Sequence, residues 1–254
     1  MFMEERLEDI LEMLKRDGKV RVKDLSEKFN VSEGMIRKDL SKLEQHGNIK
    51  RTYGGAILER KIIHNDNTTS RIISNIEEKE KIARLVMDEI EENDVIFMDI
   101  SSTNYTVATM MTGFTKNITL ITNMNRIAMA FDSIPNVDII QLGGMYNKKT
   151  GGTVGAFTVN EIKKFKIDKA FIGAGGINIE DNFVSNFNLD EVSTKEAIIK
   201  ASKKKYLITI NEKFYNDGSY KFCELGDVDY IITDKKPEEN IIDGLSKYNV
   251  KVIY

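Results

Sequence analysis

Three hydroxyl-bearing residues in a row, Ser101 to Thr103, follow a short apolar stretch that ends at Asp99 in the segment DVIFMDISSTNYTVATMM. A helical pattern follows from Asn104 or Tyr105, so hydroxyls and free backbone amides would share the positive end of a helix dipole. This combination of groups can hold a phosphate. The alternative is an ordinary strand-to-helix cap, in which the same hydroxyls only satisfy the helix end.

Polar groups and glycines follow three further apolar stretches. Thr122 and Asn123 end one, Gly143 and Gly144 end another, and Lys213 comes after a third in the segment YLITINEKF. Small ligands collect at the carboxyl ends of parallel strands, and glycines let the backbone approach a ligand closely. Each turn alone could be a plain cap, but their recurrence at strand ends favours one shared pocket.

A second group of candidates lies within residues 24–51, DLSEKFNVSEGMIRKDLSKLEQHGNIKR. Six cations and three carboxylates in residues 28–51 give a local charge of +3, although the whole chain has a formal charge of -3. A helix that buries Ile36 and Leu40 turns its cations outward and fits the DNA major groove, where they meet guanine edges and phosphates. The candidate DNA-binding residues are Ser32, Arg37, Lys38, Ser41, Lys42, Lys50, Arg51 and Tyr53.

The elements around these residues follow the order helix, helix, turn, helix, hairpin. Apolar residues recur at three- and four-residue steps in residues 3–16, a second helix is predicted over residues 23–29, and Ser32 caps the third. The segment NIKRTYGGAIL predicts a hairpin with residues 54–55 at its turn. The order predicts a winged helix-turn-helix domain over residues 1–58. The alternative is a pair of amphipathic helices whose charged face is merely solvated.

The rest of the chain has a different pattern. Residues 59–74 are polar and lack periodicity, which predicts a linker. Beyond them, helical patterns such as residues 125–131 and 193–202 alternate with continuous apolar strands. The predicted strands are DVIFMD, ITLIT, VDIIQLGG, KAFIGAGG, YLITI, YIIT and VKVIY. Such strands, separated by helices, indicate a largely parallel sheet covered on both faces, so residues 75–254 are predicted to form an α/β domain.

Composition argues against several classes of protein. The chain has 254 residues, enough for two domains, and no apolar run approaches the ~18 residues of a membrane-spanning helix. Its acidic start, MFMEER, does not have the pattern of a secretory signal. One cysteine cannot form an internal disulfide, and with two histidines a dedicated Cys/His zinc site is not expected. We therefore expect a cytoplasmic protein without a metal, a cofactor or a membrane partner.

The stretch from ERLEDILEML to IKRTYGGA resembles, without a gap, the amino-terminal domain of the DeoR family of bacterial transcriptional regulators, in the pattern ERL..IL..L...G.V.V.DLS..F.VSE..IR.DL..LE..G...R.YGGA. The resemblance implies a recognition-helix and wing signature made of Ser32, Arg37, Lys38, Asp39 and Arg51. Lys38 stands where arginine is usual and Tyr53 where histidine is frequent, which bears on the operator that is read. Because a carboxylate repels phosphates, we expect Asp39 to pair with a basic side chain inside the domain.

The resemblance continues through the second domain in the motifs R.......K..IA, D.SST, TN...IA, LGG, DKAFIGAGGI, E...K.A, KF and D.D.IITD. The family's sensor domain is Rossmann-like and similar to ribose-5-phosphate isomerase-like folds, and the resemblance implies binding of a phosphorylated sugar. Ser101 stands where the family usually has glycine, and Ile210 where it usually has aspartate. The candidate ligand-binding residues are Asp99, Ser101, Ser102, Thr103, Thr122, Asn123, Gly143, Gly144, Glu191, Lys195 and Lys213.

Two functions are compatible with these residues. The first is a regulator, a repressor of a sugar operon, that binds double-stranded operator DNA as a dimer or tetramer and responds to a phosphorylated sugar effector. The second is a sugar-phosphate isomerase-like enzyme with an accessory DNA-binding module, in which Asp99 and Glu191 act as acid and base and Lys213 anchors the phosphate. Because Ile210 replaces a carboxylate of the catalytic set, we expect a regulator and not an enzyme.

Overall fold

The computed structural model describes residues 2–47, 49–62 and 67–254. The chain forms two compact units: one comprises Met1–Lys61 and Glu238–Ile242, the other Ile62–Pro237 and Asp243–Tyr254. Residues 63–66, inside the predicted linker, lie outside the described residues, and so does Asn48 at the start of the predicted hairpin.

The first unit combines three helices with a small sheet. Its helices are α1 (Met3–Asp17), α2 (Val22–Phe29) and α3 (Glu33–Gln45), and its strands are β1 (Lys19–Arg21), β2 (Ile49–Thr52) and β3 (Gly55–Leu58). The strands form an antiparallel sheet in the order β1-β3-β2. Apolar residues at helical spacing meet in one core, where Ile10, Leu14, Leu25 and Ile36 are fully buried. The prediction of an amino-terminal winged helix-turn-helix is confirmed.

The hairpin of this unit turns one residue earlier than the sequence predicted. Tyr53 and Gly54 form the turn, with a φ of 85° at Gly54, while Gly55 is the first residue of β3. Gly55 pairs with Arg21, and a Cβ atom there would lie 2.0 Å from the carbonyl oxygen of Val20. The two glycines therefore meet different needs, a left-handed turn at one position and a close approach of strands at the next.

The second unit is an α/β domain. The remaining helices of the chain are α4 (Thr68–Ile72), α5 (Ile76–Glu89), α6 (Ser102–Met110), α7 (Asn125–Ala130), α8 (Ala156–Ile162), α9 (Leu189–Ala201) and α10 (Glu239–Ser246). The remaining strands are β4 (Lys61–Ile62), β5 (Val95–Met98), β6 (Ile118–Thr122), β7 (Val137–Gln141), β8 (Met145–Asn147), β9 (Gly152–Val154), β10 (Ile167–Gly173), β11 (Gly176–Asn178), β12 (Phe183–Asn186), β13 (Ser202–Ile208), β14 (Asn216–Asp217), β15 (Tyr220–Cys223), β16 (Tyr230–Ile232) and β17 (Lys251–Ile253).

Seven parallel strands form the central sheet in the order β17-β16-β13-β10-β5-β6-β7, and they are the seven strands predicted from the sequence. From β5 the chain adds β6 and β7 on one side, and then returns to add β10, β13, β16 and β17 on the other. This is the doubly wound, Rossmann-like order, with its reversal between β5 and β10. The predicted fold class is confirmed.

The central sheet is covered by helices because its strands are apolar on both faces. Helices α5, α6 and α7 share one core with the sheet, in which Val86, Val107 and Ile127 join Phe171 and Tyr206. Helix α9 contacts β10 and β13. Among the described residues, no helix combines the length and the apolar character that crossing a membrane would need.

The connecting segment differs from the sequence prediction. Within the stretch predicted as a linker, Thr68–Ile72 form helix α4, and the side chain of Asn67 caps it by accepting a hydrogen bond from the backbone amide of Thr69 at 3.0 Å. The polar composition concealed this helix because residues such as Asn and Thr serve caps and loops equally well. The carboxyl-terminal part of the predicted linker is therefore structured.

Candidate functional site

Helix α3 turns the predicted cations toward solvent. Ile36 and Leu40 face the core, and the exposed residues of the helix and its cap include Ser32, Arg37, Lys38 and Lys42, with Ser41 half-buried. The Ser32 Oγ accepts a hydrogen bond from the backbone amide of Met35 at 3.3 Å, so this residue caps the helix as predicted. An exposed helix start next to several cations can take a phosphate and enter a groove of DNA.

The acidic residue of this helix faces away from solvent. Asp39 is buried and pairs with Arg6 of α1, whose Nε lies 2.7 Å from the carboxylate Oδ2. This hydrogen bond raises the pKa of Arg6, so the guanidinium stays charged. The expected intradomain partner of Asp39 is thus Arg6. The pair joins α1 to α3 and neutralises the carboxylate that would otherwise repel DNA phosphates.

Two of the exposed arginines are held by neighbouring carboxylates. Arg37 pairs with Glu33 one turn earlier at 2.6 Å, and Arg51 pairs with Glu44 at 3.2 Å. All four side chains are at least 40% exposed. Exposed pairs of this kind contribute only about 0–1 kcal/mol. Either arginine can therefore exchange its carboxylate for a phosphate or a base edge at little cost.

The wing carries the other residues predicted to bind DNA. Lys50 and Arg51 lie on β2 and are exposed, and Tyr53 at the tip of the turn is fully exposed. Within the described part of the chain, neither Lys38 nor Lys50 takes part in an ion pair. The sequence analysis predicted one DNA-binding surface on α3 and the wing. The structure exposes the wing residues, and their contact with DNA stays a prediction.

A cavity of about 240 Å³ lies in the second unit, at the carboxyl ends of β5, β10 and β13. The strand order reverses between the first two of these strands, and doubly wound sheets bind their ligands at such a point. The volume is below the ~300–1,000 Å³ of sites for drug-sized ligands, which favours a small ligand. The predicted ligand residues that line the cavity are Ser101, Ser102, Thr103, Lys195 and Lys213.

The hydroxyl run forms the amino-terminal end of α6. The Ser101 Oγ accepts a hydrogen bond from the backbone amide of Asn104 at 2.9 Å, so the helix begins at Ser102, earlier than predicted. Ser101 has a φ of -153°, an extended conformation that serine adopts without strain in place of glycine. Ser102 and Thr103 are 8% and 7% exposed, and their hydroxyls make no hydrogen bond within the described chain. They can serve an anion at the positive end of the helix.

Asp99 and Lys195 form a buried ion pair beside the cavity, with side chains 2% and 3% exposed. The Asp99 Oδ1 accepts hydrogen bonds from the backbone amide of Gly173 at 3.0 Å and the side-chain amide of Asn104 at 2.9 Å. Lys195 also donates to the carbonyl of Gly173 at 2.9 Å. Because donors within the fold occupy both carboxylate oxygens, Asp99 positions Lys195 and is not a free base.

Glu191 is buried next to this pair and does not line the cavity. Burial raises the pKa of Glu191, and the charge of Lys195 opposes that rise. The carboxylate accepts a hydrogen bond from the side chain of Asn186 at 2.9 Å, and Asn186 itself lines the cavity. Glu191 therefore does not face the cavity itself, but it orients the side-chain amide of Asn186, which does.

Two cations that the sequence analysis did not assign, Arg71 and Lys79, line the cavity together with the predicted Lys213. The guanidinium of Arg71 lies 5.0 Å from the ring centre of Phe187, and the ammonium of Lys213 lies 5.7 Å from the same ring. Lys79 donates to the carbonyl of Ser74 at 2.5 Å and to that of Arg71. Burial and the charges of Arg71 and Lys213 lower the pKa of Lys79 to about 8, and burial also lowers that of Lys213. Cations in such a desolvated place favour an anionic ligand.

Like Asp99 and Glu191, four further predicted ligand residues do not line this cavity. The Thr122 hydroxyl donates to the carbonyl of Met98 at 2.7 Å, and the Asn123 side chain donates to the carbonyl of Thr153 at 2.9 Å, so their polar groups support the fold. Gly143 and Gly144 are exposed residues before β8. These residues follow β6 and β7, on the side of β5 away from β10. The prediction that they share one pocket with Ser102 is corrected by this strand order.

Family models match both parts of the chain. Residues 6–61 match a DeoR-like helix-turn-helix domain, and residues 74–235 match a DeoR C terminal sensor domain. The glycerol-3-phosphate regulon repressor of Escherichia coli (strain K12) is 31% identical over 98% of this chain and 97% of its own. The regulator GolR of Listeria innocua is 32% identical over 93% and 92%, and the repressor GlcR of Bacillus subtilis (strain 168) is 28% identical over 100% and 96%.

Solved structures resemble the chain in part. The eIF2B delta protein of Chaetomium thermophilum has a TM-score of 0.46 at 9% identity, covering 63% of this chain and 56% of its own. Ribose 5-phosphate isomerase A of Neisseria gonorrhoeae has a TM-score of 0.39 at 15% identity, covering 55% and 54%.

Proposed function

Because the chain belongs to the DeoR family of DNA-binding transcriptional regulators and is not an enzyme, we propose that it is a repressor whose operator binding is controlled by a phosphorylated sugar. We assign DNA binding to residues 1–58 and sensing to residues 75–254, together with helix α4 of the connecting segment 59–74. As a DNA-binding protein it works in the cytoplasm. The relatives in E. coli and B. subtilis are both named as repressors, which supports repression and not activation.

The observation that carries the proposal is the exposed cationic face of α3. Ile36 and Leu40 fix the orientation of the helix, and the buried ion pair with Arg6 compensates the charge of Asp39. Arg37 and Lys38 therefore dominate the outward face. Cations at this spacing can read guanine edges, while Lys50 on the wing contacts the phosphates. The proposed partner is double-stranded operator DNA.

The effector is proposed to occupy the cavity at the switch point of the sheet. Its phosphate would accept hydrogen bonds from Ser102 and Thr103 at the start of α6, while Lys213 and Arg71 supply positive charge. The relative named for glycerol 3-phosphate regulation supports an effector of this chemical class. A screen of sugar and polyol phosphates for thermal stabilisation would identify it, since a ligand at 100 times its Kd stabilises a protein by about 2.7 kcal/mol.

Control of transcription follows from linkage between the two sites. A helix-turn-helix protein reads paired half-sites as a dimer or a larger symmetric oligomer. An effector weakens operator binding only if it binds the DNA-free arrangement more tightly than the DNA-bound one. We propose this population shift as the mechanism of induction.

The substitution Arg37→Ala tests the DNA-reading surface. We expect it to weaken binding to a DNA fragment selected from a random library by 5- to 150-fold, the cost of about 1–3 kcal/mol for a base-reading arginine. Fluorescence anisotropy would measure the affinity, and thermal unfolding would check the fold.

Arg16→Ala is the matched control, because Arg16 also pairs with a neighbouring carboxylate, Asp17, but lies at the end of α1. It should leave DNA affinity within twofold of the original. If Arg37→Ala binds DNA as well as the unchanged protein, α3 does not read the operator.

A further inference from the structure

Helix α3 carries one large apolar side chain on its exposed side. Met35 is 44% exposed, and it takes part in the helix cap through its backbone amide, which donates to the Oγ of Ser32. The other apolar residues of the helix are buried, namely Ile36, Leu40 and Leu43. A single exposed apolar side chain is common on protein surfaces and has no meaning by itself. This one lies among the cations assigned to DNA reading, so DNA binding would take it out of water.

The residue before Met35 is a glycine that the fold does not require. Gly34 is exposed, and its φ lies outside the left-handed region. A Cβ atom there would lie 3.9 Å from the Oγ of Ser32, an ordinary van der Waals distance, with no closer neighbour among the described residues. Glycine destabilises a helix relative to alanine. Gly34 therefore does not serve stability, but it leaves a stretch of helix surface on which another molecule can lie close to the backbone.

Gly34 and Met35 adjoin the cation Lys38 on the outward side of the helix. Each residue advances the helix by about 100°, so Gly34 lies about 200° around it from the buried Ile36 and points away from the core. Lys38 follows Gly34 by four residues and Met35 by three, which makes all three neighbours on the helix surface. The bare position is therefore bordered by one apolar side chain and one cation.

The base edges in the major groove offer one kind of apolar group. Thymine presents its C5 methyl there, whereas the other groups of the four bases are hydrogen-bond donors and acceptors. A methionine side chain is flexible and adapts to an irregular apolar surface. Recognition helices contact base edges with the residues of their amino-terminal part, where Met35 lies. Water lost from Met35 in the groove is best compensated where a thymine methyl meets it.

We propose that Met35 selects a thymine in each operator half-site by contact with its methyl group, and that Gly34 leaves room for that base pair to approach. This role of Met35 rests on the proposed function, because it requires α3 to lie in the groove. Arg37 and Lys38 supply charge, while Met35 supplies a base preference without charge. Because a methyl contact releases no counterion, the preference should stay constant with salt, unlike the overall affinity.

Replacement of single thymines in the selected DNA fragment by deoxyuridine tests the contact, because it removes only the methyl group. We expect one thymine in each half-site at which this replacement weakens binding about fourfold, the value of one buried methyl group. The penalty should be the same at low and at high salt. Met35→Ala should bind the thymine fragment at least about threefold more weakly and lose the penalty, whereas Met35→Leu, which stays apolar, should keep it. Fluorescence anisotropy would measure these affinities, and thermal unfolding would check each fold.

Met129→Ala is the matched control, because Met129 is also an exposed methionine, at 69%, but lies on α7 of the other unit. It should keep both the affinity and the penalty of the unchanged chain. Gly34→Ala tests the bare position, because it adds one methyl group to a helix that should be no less stable for it. We expect it to bind DNA at least about threefold more weakly, and normal binding would contradict the role of Gly34.

The role of Met35 is wrong if no thymine shows a methyl penalty, or if Met35→Ala keeps every penalty of the unchanged chain. Either result, together with weak binding by Arg37→Ala, would leave the proposed function in place and reject only the thymine contact. Normal binding by Arg37→Ala would instead reject α3 as the helix that reads the operator.

Discussion

The two units of this chain place their cations in opposite environments. Arg37, Lys38 and Lys50 of the first unit are exposed on a helix and a wing, whereas Lys79 and Lys195 of the second are 4% and 2% exposed beside a cavity. Exposed cations keep their hydration until a large polyanion arrives. Buried cations have already lost much of their hydration, so a small anion that fills the cavity replaces the favourable interactions with water that burial removed.

This difference predicts different responses to solution conditions. Binding of DNA by exposed cations releases counterions and therefore weakens steeply with salt. The logarithm of the association constant falls with the logarithm of the salt concentration by a slope of about 0.9 for each phosphate neutralised. Binding in the cavity is screened less because the charges are away from bulk water. It responds instead to pH, since burial has moved the pKa of Lys79 toward the physiological range.

The largest effect is expected from breaking the buried ion pair in each unit. Asp39→Ala leaves Arg6 buried without its partner, and Asp99→Ala does the same to Lys195. We expect a loss of about 3–5 kcal/mol in the unfolding free energy of the affected unit in each case. Urea unfolding followed by probes in each unit would measure it.

The double change Arg6→Met and Asp39→Leu is the control, because replacing both charges with apolar groups is often neutral or stabilising. It should recover most of the stability that Asp39→Ala loses. A loss below about 1 kcal/mol for Asp39→Ala would mean that water reaches Arg6, and that the pair is not buried in the sense used above.

An intermediate effect is expected from pH on effector binding. The pKa of Lys79 is about 8 in the free protein, and a bound phosphate raises it by favouring the ammonium. Affinity should therefore be flat from about pH 6.5 to 7.5, where phosphate is mostly the dianion and Lys79 is charged, and should fall above pH 8. If one proton is involved, the affinity for the effector can fall by at most about tenfold per pH unit.

Isothermal titration calorimetry in buffers of different ionisation enthalpy would show the protonation of Lys79 as proton uptake when the effector binds. Lys79→Met should bind more weakly at pH 7 and lose most of the uptake. An affinity that stays constant to pH 9.5 would contradict the placement of the anion beside Lys79.

The smallest effect is expected from the exposed pair on α3. Glu33→Gln removes the partner of Arg37, which is 2.6 Å away, and takes a negative charge off the DNA-reading face. Stability should change by less than about 0.5 kcal/mol, and DNA affinity should rise by a few fold at most. Anisotropy measurements would detect this, and a tenfold loss of affinity would instead indicate that Glu33 contacts a base.

The sequence predicted most of the fold because its signals were strong and local. Continuous apolar runs identified all seven strands of the central sheet, and helical periodicity oriented α3 correctly, with Ile36 and Leu40 turned inward. Short strands such as β8, β9 and β11 were missed because three residues near glycines carry no periodic pattern. The five-residue helix α4 was missed because its polar residues serve caps and loops equally well.

The cavity could be predicted only in part, because strand order is a tertiary property. Thr122 and Ser102 both follow strands, but only the sheet order shows that β6 lies away from the switch point. Arg71 and Lys79 lie in or beside the segment predicted as a linker. The contact of Arg71 with Phe187 and the electrostatic effect of Lys213 on Lys79 both span more than a hundred residues. The motif R.......K..IA, which contains both cations, was the one available signal.

The most direct test of the account is the affinity of the chain for its selected DNA fragment with and without a saturating sugar phosphate. We predict that the Kd for DNA is about 5- to 150-fold higher with the effector, which is the usual range of coupling between two sites. Thr103→Val should bind DNA normally and lose this response, because Thr103 lines the cavity and lies in the other unit from α3. An unchanged Kd, with effector binding verified by calorimetry, would contradict the claim that the cavity controls the DNA-reading surface.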